Sequence, residues 1–151
     1  MDKTAEELIA ASEHVLYEVH MLRDTAIGIA SETNPGWMLH NAVTESFVVH
    51  ARNLTHFLFP VSPYPTDILA EHFFDTTERW ESLRGTLPKD LKNVRGRASK
   101  QMAHITYDRL KAVGDAKQWA YREIFDAIMA GVEVFMRNAN PELLHADWDN
   151  A

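Results

Sequence analysis

Arg97 and His104 stand seven positions apart in the stretch Arg95-Gly96-Arg97-Ala98-Ser99-Lys100-Gln101-Met102-Ala103-His104-Ile105-Thr106-Tyr107. On a helix that spacing is two turns, so both side chains share one face. An imidazole titrates near neutral pH and is a natural general acid or base. A guanidinium is a natural clamp for a phosphate. In outline the two suffice to cleave RNA without a metal ion: one helps deprotonate the 2′-hydroxyl, the other steadies charge building on phosphorus. Lys100, Gln101 and Tyr107 lie on the same segment as supporting donors. Spacing alone leaves the plain reading open, because basic helix faces are commonly just solvated.

Charge singles out the same region. The chain has a formal net charge of −7. Residues 84 to 111 carry eight Lys and Arg against Asp90 and Asp108, so this segment is +6 and the remainder −13. A basic island on an acidic protein suggests a local anion site rather than a surface that coats nucleic acid at large. The chain has no cysteine, which removes disulfides, thiolate metal sites and a thiol nucleophile.

The elements that must position these groups read as helices. Thr4-Ala5-Glu6-Glu7 is a capping box. Leu8, Val15, Val19, Leu22, Ala26 and Ile29 then trace one apolar face to about residue 31. Asn34-Pro35 reads as the cap and first position of a second helix that ends at Phe59, before Pro60, Pro63 and Pro65. Thr66-Asp67 restarts the chain in short helical pieces carrying Phe73, Phe74, Trp80 and Leu83. A helix over about 94–112 follows, closed by Gly114. Asp115-Ala116-Lys117-Gln118 is a further capping box. Behind it Tyr121, Phe125, Ile128, Val132 and Phe135 form the buried face of the last long helix. Asn138 to Pro141 stops that helix and leaves a polar tail from about 139. The expectation is one all-α domain over 1–151, an up-and-down bundle of four long helices with a short connecting helix.

The second helix is expected to be largely buried. Its apolar face is Val43, Phe47, Leu54 and Leu58, yet Val48, Val49 and Phe59 lie opposite, among Asn41, Glu45, Arg52 and His56. Glu45 and Arg52 are two turns apart, which makes a buried ion pair one reading, with Arg52→Ala then costing a few kcal/mol. His50, Ser46 and Asn53 form a second polar strip. Whether these groups are structural or functional stays open from this helix alone.

The chain resembles the HEPN superfamily, all-helical domains common in toxin–antitoxin and abortive-infection systems. The resemblance rests on Arg97, six intervening residues and His104 on a late helix. It rests also on the phrase Glu45-Ser46-Phe47-Val48-Val49-His50-Ala51-Arg52-Asn53-Leu54, followed later by Lys100 through Thr106. It spans roughly residues 5 to 135 in helix order. It implies a metal-independent endoribonuclease with no cofactor, His104 as general acid or base and Arg97 as phosphate clamp. Glu45, His50, Arg52 and Asn53 would support the site. It implies a homodimer in which two Arg–His pairs line one cleft, an RNA substrate and a neutralising antitoxin protein. One position departs from the pattern: active members usually carry Asn, Asp or His just after the arginine, where this chain has Ala98.

Two other classes are open. A catalytically inactive helical dimer would use the basic island to bind RNA, a nucleotide or a partner protein. A histidine-liganded metal bundle would need convergence of groups such as His20, His50 and His104. Trp37, Trp80, Trp119 and Trp148 are dispersed, which suits core or interface packing better than base stacking. No apolar run is long enough to span a bilayer and the N-terminus is not signal-like, so a cytoplasmic protein without membrane contact is expected.

Overall fold

The computed structural model describes residues 3–31, 36–103, 107, 110 and 118–150. Helix α1, Ala5–Ala30, opens with the expected reciprocal cap: Glu7 N–H donates to Thr4 Oγ1 at 3.1 Å and Thr4 N–H to Glu7 Oε2 at 2.9 Å. Its apolar stripe of Leu8, Val15, Val19, Leu22 and Ala26 is buried. Helix α2, Trp37–Leu58, runs antiparallel to α1, because Glu18 meets His50 while Gly28 lies against Val43. The proline-rich turn after α2 leads to a 3-10 turn, Ala70–Phe73, and to α3, Thr77–Arg84. The Trp80 indole N–H donates to Leu58 O at 3.1 Å and satisfies a carbonyl that the end of α2 leaves open.

A second 3-10 turn, Lys89–Leu91, precedes α4, Val94–Ala98, which widens into a π-helical turn over Ser99–Ala103. The helix expected over 94–112 is thus helical through Ala103. His104 and Gly114 lie outside the described residues, as do Asn34 and Pro35. Helix α5, Tyr121–Asn138, closes the core with Ile124, Ile128, Val132 and Phe135. Its start is later than the capping box at Asp115–Gln118 suggests, since Gln118, Trp119 and Ala120 are not helical. Arg97 supplies the cause: its Nη2 donates to Gln118 O at 3.1 Å and its guanidinium stacks on Trp119 at 4.1 Å, holding this stretch against α4.

Among the described residues the architecture is all-helical, with no strand and no helix long and apolar enough to cross a membrane. Its centre is an aromatic cluster on α5. The Phe135 ring lies 5.1 Å from Phe57, 5.4 Å from Phe73, 6.1 Å from Phe74, 6.2 Å from Trp80 and 5.7 Å from Trp148. Trp148 belongs to the tail, which is polar in sequence but folds back in two 3-10 turns, Pro141–Leu143 and Ala146–Asn150. There the Trp148 indole donates to Ser12 O at 3.0 Å and His145 N–H to Ser12 Oγ at 2.7 Å. A buried indole with its one hydrogen bond, and a second from the His145 backbone, anchor an otherwise hydrophilic segment.

The expected all-round burial of α2 is corrected. Its C-terminal half is buried: Phe47, Val48, Ala51, Leu54, Phe57 and Leu58 pack inside, and Gly131 of α5 lies against Leu58. Its first turn is not, with Trp37 80% and Met38 71% exposed. Helix α5 meets it at Phe57 and Leu58, at the opposite end of the helix.

Candidate functional site

Arg52, Asn53 and His56 of α2 line a cleft of about 380 Å3 between α1, α2, the proline-rich turn and α4. Its charged and polar lining is His14 and Glu18 from α1, Arg52, Asn53 and His56 from α2, Tyr64 and Asp67 from the turn, and Arg95 from α4. The local reasons are simple. His14 and Glu18 are one turn apart, as are Arg52 and His56, so each helix presents a short polar stripe to the same space. Prolines 60, 63 and 65 end α2 and return the chain beside it. The Asp67 carboxylate then folds the turn onto itself: Oδ2 accepts from Tyr64 N–H at 2.8 Å, while Asp67 N–H donates to Tyr64 O at 3.0 Å.

Asp67 Oδ2 also pairs with His56 Nε2 at 2.9 Å. The hydrogen bond from His56 holds the Asp67 carboxyl below its ordinary pKa, aided by the Tyr64 N–H and by the charges of His56 and Arg95 and opposed by burial. Asp67 is therefore ionised across the neutral range and orients the imbidazole ring of His56. When the proton sits on Nε2 and is donated to Asp67, Nδ1 is left as a base. Because folding lowers this pKa, the pair's contribution to stability is fully present above the ordinary carboxylate value and is lost as pH falls below that value and through the lowered one. Thermal melts over an acid series are expected to show the parent losing more stability on acidification than Asp67→Asn, and parallel curves would remove the pair from the fold's pH dependence.

Glu18 holds the other side. Its Oε2 accepts from Asn53 Nδ2 at 3.1 Å and pairs with Nδ1 of buried His50 at 2.7 Å, with the Tyr17 ring edge-on to the imidazole at 5.9 Å. His50 and Asn53, both on the second polar strip of α2, are thus held by one carboxylate on another helix. Glu18→Ala leaves a buried imidazole N–H and an amide without their acceptor, an expected loss of about 1–3 kcal/mol in urea unfolding, with Glu18→Gln losing less. Equal stability of parent and Glu18→Ala would show that water replaces the carboxylate freely.

The expected buried Glu45–Arg52 pair is corrected. Both residues are exposed, and among the described residues neither makes an ion pair or hydrogen bond. Seven residues of helix rise about 10 Å, and an exposed pair across that distance gains too little to order two long side chains. Arg52 instead lines the cleft with its guanidinium uncommitted, and Glu45 lies outside the lining. Arg95, opposite, donates through Nη1 to Val61 O at 2.6 Å.

In the basic island, Arg97 is partly withdrawn by its contacts with Trp119 and Gln118, and desolvation lowers its pKa from the ordinary value. A guanidinium stays charged all the same. Ala98, the position after it, is buried in the core. Lys100 is exposed and Gln101 half-buried on the π turn, and Tyr107 is exposed. His104 lies outside the described residues, so its expected partnership with Arg97 lies there too. Among the described residues no three His, Asp or Glu side chains group as metal ligands; His50 is engaged with Glu18 and His20 is exposed.

Sequence reasoning missed Glu18, Tyr64, Asp67 and His14 as members of one site. Glu18 and His14 signal themselves only as an i, i+4 polar pair on an amphipathic helix. Asp67, read as a helix start, has the position of a turn-closing carboxylate two residues after Pro65. Comparison of the chain with protein families, with curated proteins and with solved structures finds no match.

Proposed function

We propose that this chain is a phosphate-recognising helical domain that cleaves RNA without a metal ion, as a nuclease of a defence or toxin–antitoxin system. The observation that carries the reading is the cleft in which Arg52 and Arg95 face the same space as His56, oriented by an ionised Asp67. Two guanidinium groups suit a phosphodiester and the charge that grows on it during attack. His56 takes the proton of the 2′-hydroxyl, the 2′-oxygen attacks phosphorus, and the P–O5′ bond breaks to leave a 2′,3′-cyclic phosphate. The leaving 5′-oxygen takes a proton from a second imidazole, for which His14 lines the same cleft. The HEPN resemblance supports the same reaction but assigns it to His104 and Arg97, in a homodimer restrained by an antitoxin.

A binding module without turnover is the second reading, favoured by Arg97 being stacked on Trp119 and by the burial of Ala98 where active HEPN nucleases carry a polar group. RNA incubated in EDTA with the parent, His56→Asn and His104→Ala separates these. Cleavage lost only in His56→Asn places the chemistry in the cleft. Loss only in His104→Ala places it on the Arg97 segment. No cleavage by the parent overturns the nuclease reading in favour of binding.

A further inference from the structure

Tyr64 is 74% exposed at the mouth of the cleft, and its backbone is unusually constrained for a surface loop. Pro63 and Pro65 flank it, fixing their own φ angles and biasing Tyr64 toward an extended conformation. Asp67 clasps it from both sides, accepting its N–H and donating to its carbonyl. Two residues before it, Ser62 adopts a φ of 50°, a left-handed conformation that a non-glycine residue holds only when its surroundings enforce it. An exposed aromatic ring on a fixed backbone loses little freedom when a flat ligand covers it.

The cleft beside it has mixed chemistry. Val15, Leu54, Phe57 and Ile68 supply apolar wall, while Arg52 and Arg95 supply cationic groups. A bare phosphate would use only the second set. A nucleotide uses both, with its phosphate toward the guanidinium groups and its base against an aromatic or apolar face. We propose that Tyr64 is a stacking platform for one base of a single-stranded RNA whose phosphate is held by Arg52 and Arg95. This rests on the reading of the cleft as a phosphate site and adds to it a preference for unpaired bases. A duplex keeps its bases stacked on one another and offers none to the ring.

The test uses a 2′-O-methyl uridine pentamer, which cannot be cleaved by 2′-attack, and the same pentamer without bases, which carries the same charge. Binding of each to the whole protein is measured by calorimetry for the parent, Tyr64→Ala and Tyr64→Phe. The parent is expected to favour the pentamer with bases on the order of tenfold. Tyr64→Ala should bind both pentamers equally, with its affinity for the abasic one unchanged, and Tyr64→Phe should keep the parent's preference. A parent that binds both equally, or a preference that survives in Tyr64→Ala, overturns the stacking role while leaving the phosphate site standing. Failure of the parent to bind either pentamer overturns both.

Discussion

Phe135→Ala is expected to lower the unfolding free energy by about 3–5 kcal/mol, the range for deleting a fully buried phenyl ring. The reason is the position of the ring rather than its burial alone. It is fully buried and meets Phe57 from α2, Phe73 and Phe74 from the segment after the proline-rich turn, Trp80 from α3 and Trp148 from the tail. These edge-to-face contacts join elements far apart in sequence, so the cavity lies where no single helix can relax to fill it. A domain with a typical net stability of about 5–15 kcal/mol would be left marginal. Urea unfolding should show a lower midpoint with the slope unchanged. Phe135→Leu, which keeps most of the volume, should lose less. A midpoint shift within error for Phe135→Ala would show that the cluster does not organise the core.

Arg52→Ala is expected to do the reverse, leaving stability within about 0.5 kcal/mol and weakening RNA binding. Arg52 is exposed, has no hydrogen-bond or ion-pair partner among the described residues, and lines the cleft. A charge-assisted contact to phosphate contributes about 1.5–3 kcal/mol, so roughly a tenfold to hundredfold loss of affinity follows. Arg52→Lys should recover part of it, keeping the charge but not the two-pronged geometry. The slope of log affinity against log salt should become shallower by about 0.7, the value for one phosphate contact on a single strand. A large loss of stability with unchanged binding would instead restore the paired, structural role that its position on α2 first suggests.

Much of the fold is legible in local signals. Thr4 and Glu7 mark the start of α1, the apolar positions of α1 and α5 face the core as their spacing requires, and the prolines after Phe59 end α2. These features depend on interactions within a few residues, which sequence displays directly. The start of α5 is not legible, because the segment before it is held by Arg97, some twenty residues earlier. The outward face of the first turn of α2 is likewise a tertiary matter, decided by where the other helices meet it.

The site shows the same division. The polar stripe of α2 leaves structural and functional roles equally open, and of its residues Arg52, Asn53 and His56 line the cleft. Partners are a different matter. His50 and Asn53 are held by Glu18, more than thirty residues away, and His56 by Asp67 across a turn. Helical spacing brings Glu45 to mind for Arg52 only because i, i+7 positions share a face. It carries no information on whether the face is buried, and here burial decides the energetics.

The proposed function places a single RNA strand in the cleft between α1, α2 and the proline-rich turn. Its most direct test is to titrate the isotopically labelled protein with the non-cleavable uridine pentamer and follow backbone amide shifts. The largest changes are expected on residues 52–56, on Tyr64 and Asp67, and on Arg95. Saturable shifts confined to other surfaces, such as the exposed first turn of α2 or the outer face of α5, would contradict it.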